Sequence, residues 1–583
     1  MMLQALVSYA ERRITEDSDF FDPDFRWEKA AWRIEITRDG KLGGLIPLKT
    51  KVGNRWEEKR VRRPHTDVNE ISVRSLVKAK SYFLCDTVER VFRYEGPNAV
   101  STDPLILARA AFFRGLIKKA ADLRVASALL QPLANFLGEE AEMNEVRRQL
   151  TDADASPQEN VVFGIEGVDV ITHPEVVEFW RQQRQSTSSR NEEKAVCLVT
   201  GQLADCVQTA NKIKGIGGQD TILISANEAA FCSFGLEKAQ NSAISIRAEG
   251  LAKAALDDLI ARSRAQHLVF NQTFHLHWTR EPVAFDPMDL LGSADENAVE
   301  ALLKSVQHGQ QVHGLDANAY YALSLSGNGA RIVVRDWLES TVPEVERHIA
   351  EWFSDLAIVQ LDGLGTKRDF KFGALLYAMV REELDELPPQ IPTQLLHGAL
   401  RGRTVPLPQT ALAAALRRQQ LDQDDKLRPA RLAVIKACLL RSSNKSTINK
   451  TMTESLNAEI RDPAYLCGRL FAVFDRLQYL ALGGVNAGVV ERYYASASVT
   501  PSLVMGRLFR NAQFHLAKAE GGTAENVRKD FETISSALGD HFPPTLDLEA
   551  QGRFALGYYH QKADYRRRTA ERKEAAAKSE NSN

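Results

Sequence analysis

"TPSLVMGRLFRNAQFHLAK", residues 500–518, decides how the rear of the chain folds. Val504, Leu508, Ala512 and Leu516 recur at the spacing of one helix face. Thr500 is placed to cap that helix and Pro501 to occupy its first turn, where a missing N–H costs nothing. Arg507, Arg510, Phe514 and Lys518 fall on another side, a cationic row with one aromatic inside it. The same theme repeats nearby: Asp462-Pro463 opens a helix with Leu466, Leu470, Val473, Phe474 and Leu477 on its apolar face. An all-helical bundle over 451–583 follows, its charged tail "RRRTAERKEAAAKSENSN" expected to fray.

Working toward the front, 376–450 reads as a helical connector, with "RSSNKSTINKTMTES" (441–455) a low-complexity hinge. Residues 151–375 mix strands ("KAVCLVTG", "TILISAN", "HLVFNQTFHLHW", "AYYALSLSGNGARIVVRDW") with helices, which predicts a mixed α/β domain rather than a sandwich. The stretch "RQQRQSTSSRNEEK" within it is polar and expected to be mobile. Residues 1–150 form an N-terminal α+β domain, with a hairpin expected around Asp39-Gly40 and helical text from about 103. The fold class is α+β: mixed front and middle domains followed by an all-helical C-terminal bundle.

Composition narrows the function. The 583 residues carry a net charge of −2, which excludes a uniformly basic nucleic-acid coat, so a polyanion must meet local patches. No apolar run approaches the roughly 18 residues of a membrane span, and "MMLQALVSYAERR" lacks the order of a signal peptide. Six cysteines without a CxxC pair predict reduced packing thiols in the cytoplasm. Signatures of P-loop, zinc-protease and serine-hydrolase chemistry are missing, which favours binding over catalysis and predicts no cofactor. His275 and His277 in "FHLHW" share one side of a strand; without a third ligand of suitable spacing, hydrogen-bonded imidazoles are expected rather than a metal.

Three basic strips stand out. Residues 49–80 hold ten Lys/Arg against four Asp/Glu, among them Arg62, Arg63, Arg74, Lys78 and Lys80, with Trp56, His65 and Tyr82 interleaved. Arg417 to Lys450 holds nine against three. The helix at 500–518 is the third. In "NKIKGIGGQDTILISAN" (211–227), Lys212 and Lys214 flank Gly215, Gly217 and Gly218 just before a strand. Glycines let N–H groups converge on an anion and lysines neutralise a phosphate; a plain glycine turn explains the pattern equally well. Three separated strips on a near-neutral chain suggest a long anionic ligand.

Several stretches together resemble one family. "VTGQLADCVQTANKIKGIGGQDTILISANEAAFCSFG", "ALSLSGNGARIVVRDW", "YLCGRLFAVFDRLQ", "RYYASASVTPSLVMGRLFRNAQFHLAK" and "LEAQGRFALGYYHQK" are similar to blocks of the large subunit of the type I-C CRISPR surveillance complex, Cascade (the Cas-eight-c or Csd-one family). Departures include Lys78-Ala79, where the family tends to carry Asp-Asn. The resemblance implies a non-catalytic subunit that recognises the protospacer-adjacent motif on duplex DNA, assists R-loop formation, holds the displaced strand and docks a helicase-nuclease effector. Its implied partners also include CRISPR-RNA-bearing backbone subunits, the subunit binding the RNA 5′ handle, and a small subunit matching the helical bundle. Met452 is the candidate internal start for that small subunit.

Within this frame, chemistry and location nominate Lys29, the 59–80 segment and the 212–227 loop for motif-proximal duplex, with Gln219 or Asn227 able to bond base edges. Arg469, Arg507, Arg510, Phe514 and Lys518 are nominated for displaced single strand. The rival readings are a metal-dependent nuclease or nucleotide-binding enzyme using the Lys-Gly loop, and a scaffold meeting acidic proteins.

Overall fold

The computed structural model describes the chain except residues 1, 18–19, 23, 53–54, 67–70, 72–74, 98, 189–193, 208–209, 218–220, 225–234, 237, 267, 271, 284–285, 308–317, 422–427, 445–446, 485–486 and 581–583. By internal contacts it divides into two compact units: Met1–Asn211 with Ile224–Leu256, and Lys212–Leu223 with Asp257–Asn583.

In the first unit, strand β1 (Phe25–Ala30) pairs antiparallel with the long β5 (Arg55–Pro64), which pairs in turn with β4 (Lys49–Val52). A second sheet holds the hairpin β2 (Trp32–Ile36) and β3 (Leu42–Pro47), with β6 (Asn160–Ile165) parallel to β2. The Asp39-Gly40 turn closes the hairpin as the sequence predicts, Gly40 taking a φ of 77° that a glycine adopts freely. Helices α1 (Pro104–Asp122), α2 (Ser127–Gly138) and α3 (Glu140–Asp152) accompany it. Their apolar faces and the strands share one core, in which Ile34, Phe83, Phe113, Leu133, Phe136 and Phe163 are buried.

The second unit contains a six-stranded sheet. Its order is β7 (Lys212–Ile213), β8 (Thr221–Ile222), β12 (Arg331–Thr341), β11 (Ala319–Asn328), β10 (Thr273–Thr279) and β9 (Val269–Phe270). His275 and His277 lie buried on β10 with hydrogen-bonded rings, to Ser324 Oγ at 2.8 Å and Asp286 Oδ2 at 2.7 Å. Among the described residues no cluster of three His, Cys, Asp or Glu could hold a metal.

Beyond the sheet the unit is helical apart from a short antiparallel pair, Ile358–Val359 with Thr366–Lys367, and the predicted α+β class with an all-helical rear holds. The bundle comprises α7 (Pro463–Leu482), α8 (Val489–Val499), α9 (Pro501–Lys518), α10 (Gly522–Leu538) and α11 (Leu548–Glu580). The Asp462 carboxylate accepts from the Tyr465 N–H at 2.8 Å, and all five residues of the predicted apolar face of α7 are buried. The tail expected to fray is helical as far as Glu580. No described helix is long and apolar enough to cross a membrane.

Two expectations fail here. Among its described residues the 441–455 segment is anchored at three points rather than free to hinge: Arg441, Asn449 and Met452 are buried, and the Asn449 amide donates to Glu549 at 2.7 Å. Most of the described cations in the basic strip 417–450 do not lie on the surface. Helix α6 (Arg428–Leu440) is enclosed, and Arg428, Arg431, Lys436 and Arg441 are buried. The Arg431 guanidinium donates to the Ala378 carbonyl at 3.0 Å, and the Arg441 Nε meets Asp355 at 2.6 Å. Charge counting cannot tell a solvated cation from one spent on an interior carbonyl or carboxylate. The stretch 181–194 is helical to Ser188, and 189–193 lie outside the described residues.

Candidate nucleic-acid interface

Antiparallel pairing sorts the first basic strip by face. Residues directly opposite share a side, and neighbours along a strand alternate. Phe25, Trp27 and Lys29 of β1 therefore share a face with Pro64, Arg62 and Arg60 of β5, which stand directly opposite them in that order. On that face Trp27 is 41% exposed, and the Arg60 guanidinium lies 5.3 Å from its ring centre. Lys29 is exposed and stands opposite Arg60, a like-charge pair that destabilises a bare sheet and that a bound anion would relieve. Arg62 is partly engaged, its Nη2 2.5 Å from Asp22 and its guanidinium over Phe25.

Arg63 falls on the other face, paired with Glu28 at 2.8 Å and stacked 3.7 Å from the Tyr82 ring centre. His65, placed among Arg26, Arg184 and Arg63, is held neutral: burial first, then those cations, push its pKa down to about 2. Lys78 is exposed at the end of a single turn, Leu76–Lys78, next to a Val77 side chain that is 96% exposed, while Lys80 is half-buried. That turn precedes the buried Asp86, whose carboxylate accepts from Ser81 Oγ at 2.7 Å and the Tyr82 N–H at 2.8 Å. Arg74 lies outside the described residues.

In the second unit the Lys-Gly loop connects β7 to β8. Lys212 and Lys214 are exposed, and Ile216 between the glycines is fully buried. Gly215 has a φ of 90°, and its carbonyl accepts from Arg264 Nη2, of helix α4 (Ile246–Ala265). At Gly217 a φ of 72° combines with a backbone approach: a Cβ there would sit 3.0 Å from the Gly327 Cα. Packing of the loop onto β11 thus accounts for Gly217, the positive φ and the Arg264 guanidinium account for Gly215, and the two lysines remain at the loop surface. Gly218, Gln219 and Asn227 lie outside the described residues.

Helix α9 keeps the split its sequence predicts. Val504, Met505, Leu508 and Ala512 are buried, and Phe509 packs against Phe531 with ring centres 4.9 Å apart. Arg507, Arg510, Phe514 and Lys518 are exposed on the opposite side, with Phe514 71% exposed and Leu503, 78% exposed, extending the row. Thr500 occupies the N-cap position without capping, since its hydroxyl donates back to the Ser496 carbonyl at 3.2 Å. Arg469 does not join this row. It is buried on the inner face of α7, its Nε bonded to Gln561 at 3.0 Å.

Sequence reasoning missed Trp27 and Leu503, and took Arg60 only as part of the 59–80 segment. The alternation in "FRWEKA" was visible, but only the β1–β5 register reveals which side the arginines take.

A scan against family models matches residues 6–566 to a CRISPR-associated protein family (Cas_Csd1). No curated protein matches the chain.

Proposed function

The chain belongs to the Cas_Csd1 family of CRISPR-associated proteins, a family of Cascade large subunits, and from that premise we propose that it is the non-catalytic large subunit of a type I-C complex. In this reading it recognises the adjacent motif on duplex DNA, assists R-loop opening, holds the displaced strand and recruits a helicase-nuclease. Guide pairing reads the sequence in such complexes, so protein is left to supply motif contacts and charge along the backbone. The observation carrying the reading is the row on α9: cations and one aromatic exposed at helical spacing, the combination that binds single strands without reading them. The Trp27–Lys29–Arg60 face, Lys78 and the lysines of the Lys-Gly loop are the duplex candidates. Gln219 and Asn227 stay proposed base contacts on chemistry alone.

The proposed partners are RNA-bearing backbone subunits, the 5′-handle-binding subunit and a small subunit started at Met452. A product starting there retains the whole apolar core of the bundle, which runs from Ala464 to Tyr565.

The test is binding of the assembled complex to targets that differ only in the adjacent motif. Lys29→Ala or Lys214→Ala should weaken all targets alike, and Gln219→Ala should relax discrimination. Discrimination unchanged in every variant would remove the motif-reading role. Chelator-sensitive cleavage of DNA by the purified chain would establish the nuclease rival.

A further inference from the structure

Beside the exposed row of α9 lies a cavity of about 180 Å³ whose walls come from three helices of the bundle. One wall is α9 itself, where Arg507, Asn511 and His515 follow at i, i+4 and i+8 and so share a side. The facing wall is α8, with Arg492 and Tyr493, and Gln478 of α7 closes the end. Phe474, Leu508 and Ala512 back the cavity, while most of its open lining is polar. Arg507 belongs to both features: it stands in the solvent row and its guanidinium lies 6.0 Å from the Tyr493 ring centre.

The size and lining select a ligand. The space is smaller than the roughly 300–1,000 Å³ of drug-sized sites, so it takes a single ring system rather than a whole cofactor. The Tyr493 ring offers a flat heterocycle a surface, and amide, imidazole and guanidinium groups around it match the donors and acceptors on a base edge. A phosphate alone would leave the Tyr493 ring and the amide oxygen of Asn511 unmatched. His515 adds a neutral ring, since burial and then Lys518 lower its pKa.

We infer that this cavity receives one unpaired nucleobase of the strand that tracks along α9, turned out of the row between Arg507 and Tyr493. The inference rests on the reading of α9 as a single-strand track and adds a base-sized site to it.

The experiment measures affinity of the full chain for two fluorescent oligomers of equal length, a single-stranded oligonucleotide and its abasic sugar-phosphate counterpart. Wild type should prefer the intact strand by about tenfold. Asn511→Leu, which fills the cavity from an exposed position, should lower that preference to the part supplied by stacking on Phe514 and leave abasic binding unchanged. Arg492→Ala, on the opposite wall, should reduce the preference without abolishing backbone binding. Arg510→Ala, in the row but outside the cavity, should weaken both oligomers equally.

A preference untouched by both cavity variants overturns the base site and leaves the strand track standing, whereas equal wild-type affinity for the two oligomers overturns the base site and the stacking on Phe514 and leaves only backbone binding. Failure of wild type to bind either oligomer overturns the track and the base site together. A free mononucleotide that competes as well as the oligonucleotide would show a nucleotide site rather than a stop on a strand, and would also overturn the inference.

Discussion

Asp355 accepts two arginines at once: Arg441 Nε at 2.6 Å and Arg403 Nη2 at 2.5 Å, with Asp355 and Arg441 both essentially without solvent contact. Removing one member of such a set leaves the other as a buried unpaired charge. Asp355→Ala is therefore expected to cost about 3–5 kcal/mol in urea unfolding, and the double change Asp355→Leu with Arg441→Met should recover most of it. A second effect concerns pH. Burial lowers the pKa of His275 to about 4 and of His560 to about 3. Above an unfolded value near 6.5 both rings are neutral whether folded or not, so their contribution is fully present there. As pH falls through 6.5 the unfolded chain takes up protons that the folded rings refuse, and stability falls by up to about 1.4 kcal/mol per pH unit for each ring. A Tm series from pH 7 to pH 4 should decline, and His560→Gln should flatten that decline.

Among the described glycines, the closest backbone approach joins α7 and α11. A Cβ at Gly468 would lie 2.0 Å from the Phe554 carbonyl oxygen, and one at Gly557 would lie 2.1 Å from that of Tyr465. The obstacles are backbone atoms of helices already packed on both sides, so nothing can step aside. Gly468→Ala should cost about 1–3 kcal/mol or more, read as a lowered Tm with the fold retained. Helix α9 makes a different prediction, because its outer face carries no share of the core. Arg510→Ala should reduce the salt slope of single-strand binding by about 0.7, the effect of one phosphate contact. Phe514→Ala should lower affinity while leaving that slope unchanged, since stacking releases no counterion.

For the whole molecule, the candidate surfaces are distributed: a cation–aromatic sheet face in one unit, and a loop and a helix row in the other. Such a distribution suits a ligand longer than any single site. In the assembled complex, Trp27→Ala and Arg60→Ala are each expected to reduce duplex affinity by about tenfold at low salt, with single-strand binding by α9 unaffected. Equal loss on both substrates would mean that the sheet face is not a separate duplex contact.

The sequence by itself determined the local elements and their class. The 3.6-residue periodicity of 463–477 and 500–518, the Asp-Pro start of α7 and the Asp-Gly turn between β2 and β3 all act within a few residues, and all three appear where they were expected. The solvent row of α9 was legible for the same reason, since one helix decides which residues share its face. Only the tertiary structure decided which charges meet water. Arg431, Arg441 and Arg469 read like Arg507 and Arg510 along the chain, yet the first three are consumed by Ala378, Asp355 and Gln561, partners 53 to 92 residues away. Strand register likewise separated Arg62 from Arg63 and brought Arg60 onto Trp27. Periodicity is a property of one element, whereas the burial of a charge depends on what another element brings to it.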